Sequence, residues 1–129
     1  MAPALASLAR EFAGRAHVQL VYIAEAHASD VWPINSSACA GPANSVRRPT
    51  TLAERRAVAA RMLVALPCLA PLPLLVDGLD DAFLRAMAAW PVRLYGARGG
   101  LLERIGQPHQ AAFELAPFRE WLLETTEAQ

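Results

Sequence analysis

Lysine is absent from this sequence. All twelve basic side chains are arginine, and twelve acidic side chains cancel them. No long-range field therefore draws the chain to nucleic acid or to an anionic membrane. Cysteine is scarce as well: Cys39 and Cys68 are the only thiols. Two cysteines make no disulfide framework, so a reducing, cytoplasmic compartment is expected. No apolar run reaches the ~18 residues that a membrane span needs. The longest candidate, LVALPCLAPLPLLV from Leu63 to Val76, holds three prolines and cannot run as one helix. No charged stretch followed by an apolar one opens the chain, so no secretory leader is expected. Neither GxGxxG nor GxxxxGK[ST] occurs, and Gly99 and Gly100 therefore read as a turn, not a phosphate cradle. No cofactor is expected.

What is present is a core-forming composition, 54% hydrophobic over 129 residues. That length suits one domain, residues 1–129, with a real core. Leu5, Leu8 and Phe12 recur at helical spacing in residues 3–14, with Gly14 as a stop. Val18 to Ile23 is a continuous apolar run, the pattern of a strand covered on both faces. Residues 31–49, rich in proline and small polar residues, read as a long loop. Thr51 opens a helix with Glu54 at capping-box spacing and with Leu52, Val58, Met62 and Leu63 mostly on one side. Leu72 to Val76 is a second buried strand, closed by Asp77-Gly78. Asp80 or Asp81 then caps a short helix ending near Trp90. Val92–Tyr95 and Leu101–Ile105 form a hairpin through Ala97-Arg98-Gly99-Gly100. A last helix, about Leu115 to Thr125, turns Leu115, Phe118, Trp121 and Leu122 inward.

The order α-β-α-β-α-β-β-α is that of an α/β, thioredoxin-like fold with a mixed sheet, flanking helices and its first strand missing. Pro91 stands just before the third strand, where thioredoxin-like proteins commonly carry a cis-proline; the sequence leaves the isomer open.

One stretch calls for a chemical reading. VYIAEAHASDVW, Val21 to Trp32, passes from a buried strand straight into Glu25, His27, Ser29 and Asp30. In parallel α/β sheets the carboxyl ends of strands carry ligand sites. Two residues apart on an extended segment, Glu25 and His27 share a face, and an imidazole can shuttle protons near neutral pH. The plainer alternative makes these loop polar groups, with Ser29 and Asp30 forming a turn or cap and Tyr22 packing with a wet hydroxyl. Cys39 and Cys68 read either as ordinary free thiols or, for one of them, as a replacement nucleophile or a resolving thiol; neither lies in a CxxC or at a helix start. No metal site is expected, since Cys39, Cys68 and His27 lack ligand spacing. His17 and His109 read as surface residues.

VYIAEAHASDVW resembles the YIEEAHPSDGW block of the iodothyronine deiodinases, selenoenzymes on a thioredoxin-type scaffold. Downstream, LLVDGLDDAFLRAMAAWPVRLYGARGGLLERIGQP is similar to the family's VD-strand, short helix, AWPERLYV, hairpin and glycine-rich turn. Phe113 followed by Phe118-Arg119-Glu120-Trp121-Leu122 resembles the family's Tyr followed by Leu-Arg-x-Trp-Leu. The resemblance implies reductive dehalogenation of an iodothyronine or simpler halogenated phenol, driven by a thiol reductant, with Tyr22, Glu25 and His27 as a proton relay. The departures are specific. The family's selenocysteine position falls before Met1, so an in-frame UGA or cysteine codon is expected upstream. A second family histidine falls at Pro49 or a neighbour. The glycine-rich turn around Gly106-Gln107-Pro108-His109 lacks the family's arginine, the nearest basic groups being Arg104 and His109. The missing first strand implies an unpaired sheet edge and hence a homodimer or aggregation. Two other functions stay open: a non-catalytic thioredoxin-like binding module and a peroxiredoxin-like thiol peroxidase.

Overall fold

A computed structural model describes residues 1–33, 45–106 and 113–127. Cys39 and His109 lie outside the described residues, as does most of the glycine-rich turn after Gly106. The elements run α1 (Ala2–Glu11), β1 (Leu20–Tyr22), α2 (Leu52–Ala65), a 3₁₀ turn at Pro67–Leu69, β2 (Leu74–Val76), α3 (Ala82–Met87), β3 (Leu94–Arg98), β4 (Leu101–Gly106) and α4 (Ala116–Glu127). This is a mixed α/β chain in the expected order. Its strands form two two-stranded sheets, β1 with β2 and β3 with β4. No helix among the described residues is long and apolar enough to cross a membrane.

The chain divides into two compact units. The first comprises Met1–Leu20, Leu66–Pro73 and Val92–Gln129. Its core is Leu8 and the fully buried Phe12 of α1 against Trp121 and Leu122 of α4, with Leu115 and Phe118 packed at the edge. Arg119 grips Glu11 through two hydrogen bonds of 3.0 and 2.6 Å, which holds the Glu11 carboxyl below its usual range. The hairpin turns on Gly99 and Gly100, both at positive φ, as a tight two-residue connection requires. A register shift between Gly96 and Ala97 makes Glu103 the extra residue of a bulge. Glu103 is thereby left to accept hydrogen bonds from Arg98 and from the Trp121 indole, each at 2.9 Å. Gly96 itself lies under that indole, where a Cβ would meet Trp121 at 2.8 Å.

The second unit comprises Val21–Ala65 and Leu74–Pro91. Leu20 N–H donates to the Pro73 carbonyl and Asp77 N–H to the Tyr22 carbonyl, both at 2.8 Å. The bonded positions advance together along both strands, the pattern of a parallel pair, so β1, α2 and β2 form a β-α-β unit.

Several expectations need correction. β1 and β2 are three residues each and only half-buried, where longer strands covered on both faces were expected. Pro73 has no N–H to donate, and among the described residues neither strand has a second neighbour. The capping box at Thr51 and Glu54 forms: Glu54 N–H reaches the Thr51 hydroxyl and Thr51 N–H the Glu54 carboxylate, both at 3.2 Å. The buried face of α2, however, is Arg55 and Ala59, not Leu52, which is 36% exposed. The hairpin's first strand starts at Leu94 rather than Val92. The helix of residues 82–87 is shorter than expected and is not capped by Asp80 or Asp81. Asp81 adopts a left-handed conformation with no capping bond, and the cap is supplied by Asp77. The Trp90–Pro91 peptide bond is cis.

Candidate active site

Tyr22 stands at the end of β1, and the loop that follows carries Glu25 and His27. The Tyr22 backbone is tied to β2, while the side-chain hydroxyl is buried without a hydrogen-bond partner among the described residues. Glu25 is half-buried, and burial alone raises its carboxyl above the usual range, because desolvation disfavours the charged form. His27 is exposed. No hydrogen bond joins Glu25 to His27 among the described residues.

His27 is instead held by Trp32. Its Nδ1 lies 3.3 Å from the Trp32 carbonyl, and its ring centroid lies 4.9 Å from the indole, tilted by 50°. A bond to a carbonyl requires the hydrogen on Nδ1, which leaves Nε2 a lone pair in the neutral ring. The turn that brings Trp32 back is anchored at buried Ala28, whose carbonyl accepts from Val31 and Trp32 N–H, each at 3.0 Å. Ser29 N–H donates to the Val46 carbonyl at 2.9 Å. Asp30 accepts from Arg48 N–H at 2.8 Å and pairs with Arg47 at 3.5 Å. The Arg48 N–H is the main reason its carboxyl is held low. Asp30 is thus a tether to residues 46–48, beyond the local turn that its sequence position suggested.

Two features escaped the sequence reading. The first is Trp90, whose indole stacks on Trp32 with centroids 6.2 Å apart and planes 16° from parallel. No local pattern links residues so far apart in the chain. The second is Arg55, buried on the inner side of α2. It donates to the carbonyls of Asp77 and Gly78 and pairs with Asp81 at 2.8 Å, while its Nε is buried without a partner among the described residues. No sequence signal marked Arg55, because alanines lie all round α2 and only Ala59, one turn on, is buried with it. Pro49, at or next to the position where the resemblance puts a second histidine, is buried. It lines an open depression of about 570 Å³ with Asp30, Arg48, Thr50, Glu54 and Arg61.

Cys68 is a half-buried free thiol in the other unit. His17 is exposed, as expected.

Comparison with known proteins adds what geometry alone does not. The family described as iodothyronine deiodinase matches residues 2–126, nearly the whole chain. The chain is similar to a type II iodothyronine deiodinase of Petromyzon marinus, 32% identical over 99 residues. That match covers 77% of this chain and 32% of the Petromyzon protein, so the chain spans about a third of its relative's length. The chain belongs to the iodothyronine deiodinase family, a family of oxidoreductases.

Proposed function

We propose that this chain forms the proton-transfer side of a reductive dehalogenation site acting on an iodothyronine or simpler halogenated phenol. In the reaction a selenolate or thiolate takes the iodine as I⁺, and the ring carbon gains a proton. A thiol pair then reduces the selenenyl or sulfenyl iodide, releasing iodide and a disulfide. The soft nucleophile is the selenocysteine or cysteine that the family resemblance implies. His27 takes a proton at Nε2 from the Glu25 carboxyl, which burial makes reluctant to ionise, and passes that proton to the ring carbon. The Tyr22 hydroxyl extends the relay. The observation that carries this reading is the sequence of groups at the end of β1 and just beyond it: a buried Tyr22 hydroxyl without a partner among the described residues, a Glu25 carboxyl raised by burial and an exposed His27 imidazole. In a parallel β-α-β unit that end of the strand is where ligands bind.

The same proposal takes residues 1–129 as one thioredoxin-like domain lacking its first strand, supported by the element order and by the parallel β1–β2 pair. It places the protein in the cytoplasm, where a thiol reductant is available. A homodimer is part of it: β4 exposes Leu101, Leu102 and Ile105, and such strands pair readily with another copy. A monomer by sedimentation would remove the dimer from the proposal.

The experiment is to join an upstream strand bearing selenocysteine or cysteine to this chain and assay deiodination of an iodophenol with dithiothreitol. Turnover that needs both the added residue and His27 supports the reading. A second reading, a non-catalytic binding module, is favoured by buried Pro49 at or next to the position of the family's second histidine. Absence of turnover in a folded, nucleophile-bearing protein would decide for it.

A further inference from the structure

Of the three tryptophans, Trp121 serves the core, whereas Trp32 and Trp90 are 59% and 40% exposed. Leaving two indoles in water forfeits burial that would ordinarily stabilise the fold. They are also not scattered. Trp32 stacks nearly parallel on Trp90, and the His27 ring leans against Trp32. Trp32 is set in place by its N–H bond to Ala28, and Trp90 directly precedes Pro91. Three rings from two separate loops thus form one partly exposed aromatic surface.

We infer that Trp90 and Trp32 form a ring-stacking shelf beside His27 that takes the aryl ring of a halogenated phenol, with Trp90 as a specificity-determining residue. The identity of the ligand rests on the function proposed above. An aliphatic patch would bind apolar groups of any shape. An indole face instead prefers a planar ring in offset stacking, because its negative face meets the partner's positive edge. A polarizable iodine adds dispersion contact over the same surface. The neighbouring imidazole, with its Nδ1 engaged by the Trp32 carbonyl, keeps the Nε2 lone pair to accept from the phenol hydroxyl. Trp90 contributes area and planarity without any ionisable group, so it should govern which rings bind and not how fast a bound ring reacts.

Binding can be read without turnover. The full chain is titrated with 2,6-diiodophenol and, as a saturated control, with 2,6-dimethylcyclohexanol, following the three indole N–H signals by NMR. We expect the iodophenol to shift the Trp32 and Trp90 signals, to leave Trp121 in place, and to bind more tightly than the control. Trp90→Leu should weaken iodophenol binding about two- to tenfold, the worth of an aromatic pair beyond its area. Trp90→Phe should keep most of the affinity, and it decides the matter if the leucine variant proves misfolded by circular dichroism. Shifts confined to Trp121, no shift at all, equal binding of the control, or full affinity in Trp90→Leu would each overturn the shelf. Binding at the shelf with no turnover after the nucleophile is restored would overturn the catalytic reading and leave the shelf standing. Turnover whose KM is indifferent to Trp90 would do the reverse.

Discussion

Two loops leave the carboxyl ends of parallel strands in this protein, and they treat their polar groups in opposite ways. After β2, most of the polar groups are bonded to one another, although the Arg55 Nε is buried without a partner among the described residues. Asp77 accepts from the N–H groups of Gly78, Phe83 and Leu84 at 2.9–3.0 Å. Arg55 reaches across from α2 to the Asp77 and Gly78 carbonyls and to Asp81. After β1, Ser29 and Asp30 are tied to residues 46–48, but among the described residues three groups are less settled: a buried hydroxyl without a partner, a carboxyl that burial makes reluctant to ionise, and an exposed imidazole held at one nitrogen. Satisfied groups stabilise a fold, and unsatisfied ones cost it. The loop after β2 thus fastens the fold, and the loop after β1 is the one to which the proposed function assigns chemistry.

Removing Asp77 should give the larger effect on folding. Asp77→Ala strips three N–H groups of their acceptor, two of them at the start of α3, and should cost about 2–4 kcal/mol. A urea titration of the variant checks this. A loss under about 0.5 kcal/mol would mean that the loop after β2 is no better fastened than its counterpart.

Glu25→Gln should act in the other direction. Well below 4.5, the carboxyl's ordinary value, Glu25 is protonated in both folded and unfolded chains and makes no difference. As pH rises, the unfolded chain ionises first, so the folded state loses stability until its own raised pKa is passed. Above that the cost is constant. The glutamine variant should therefore melt higher than the parent near pH ~7, and the gain should vanish near pH ~3. Melts at the two pH values decide it: a variant that melts lower at neutral pH would show Glu25 to be a stabilising partner instead.

Much of the fold was legible because its signals are local. The α2 capping box lies within four residues, and the Gly99-Gly100 turn announces itself by composition. The cap of α3 was not legible, because Asp77 reaches its N–H groups six and seven residues ahead and Asp80 and Asp81 stand closer as decoys. Strand length failed for a related reason. Apolar runs at Val18–Ile23 and Leu72–Val76 set where strands can form, but pairing partners set how far they extend. At the site, the EAHASD string could be read by resemblance. The environment that gives Glu25 its raised pKa, and the stacking of Trp90 on Trp32, depend on tertiary contacts that no spacing encodes.

His27→Ala should have the smallest effect on folding, within about 0.5 kcal/mol, because the side chain is exposed. It should have the largest effect on chemistry. In the protein carrying a restored selenocysteine or cysteine, deiodination of an iodophenol should fall about 10²–10⁴-fold, the usual worth of general acid–base assistance, with the melting temperature unmoved. Unchanged turnover, or a melting temperature that collapses with it, would contradict the assignment of the loop after β1 to chemistry.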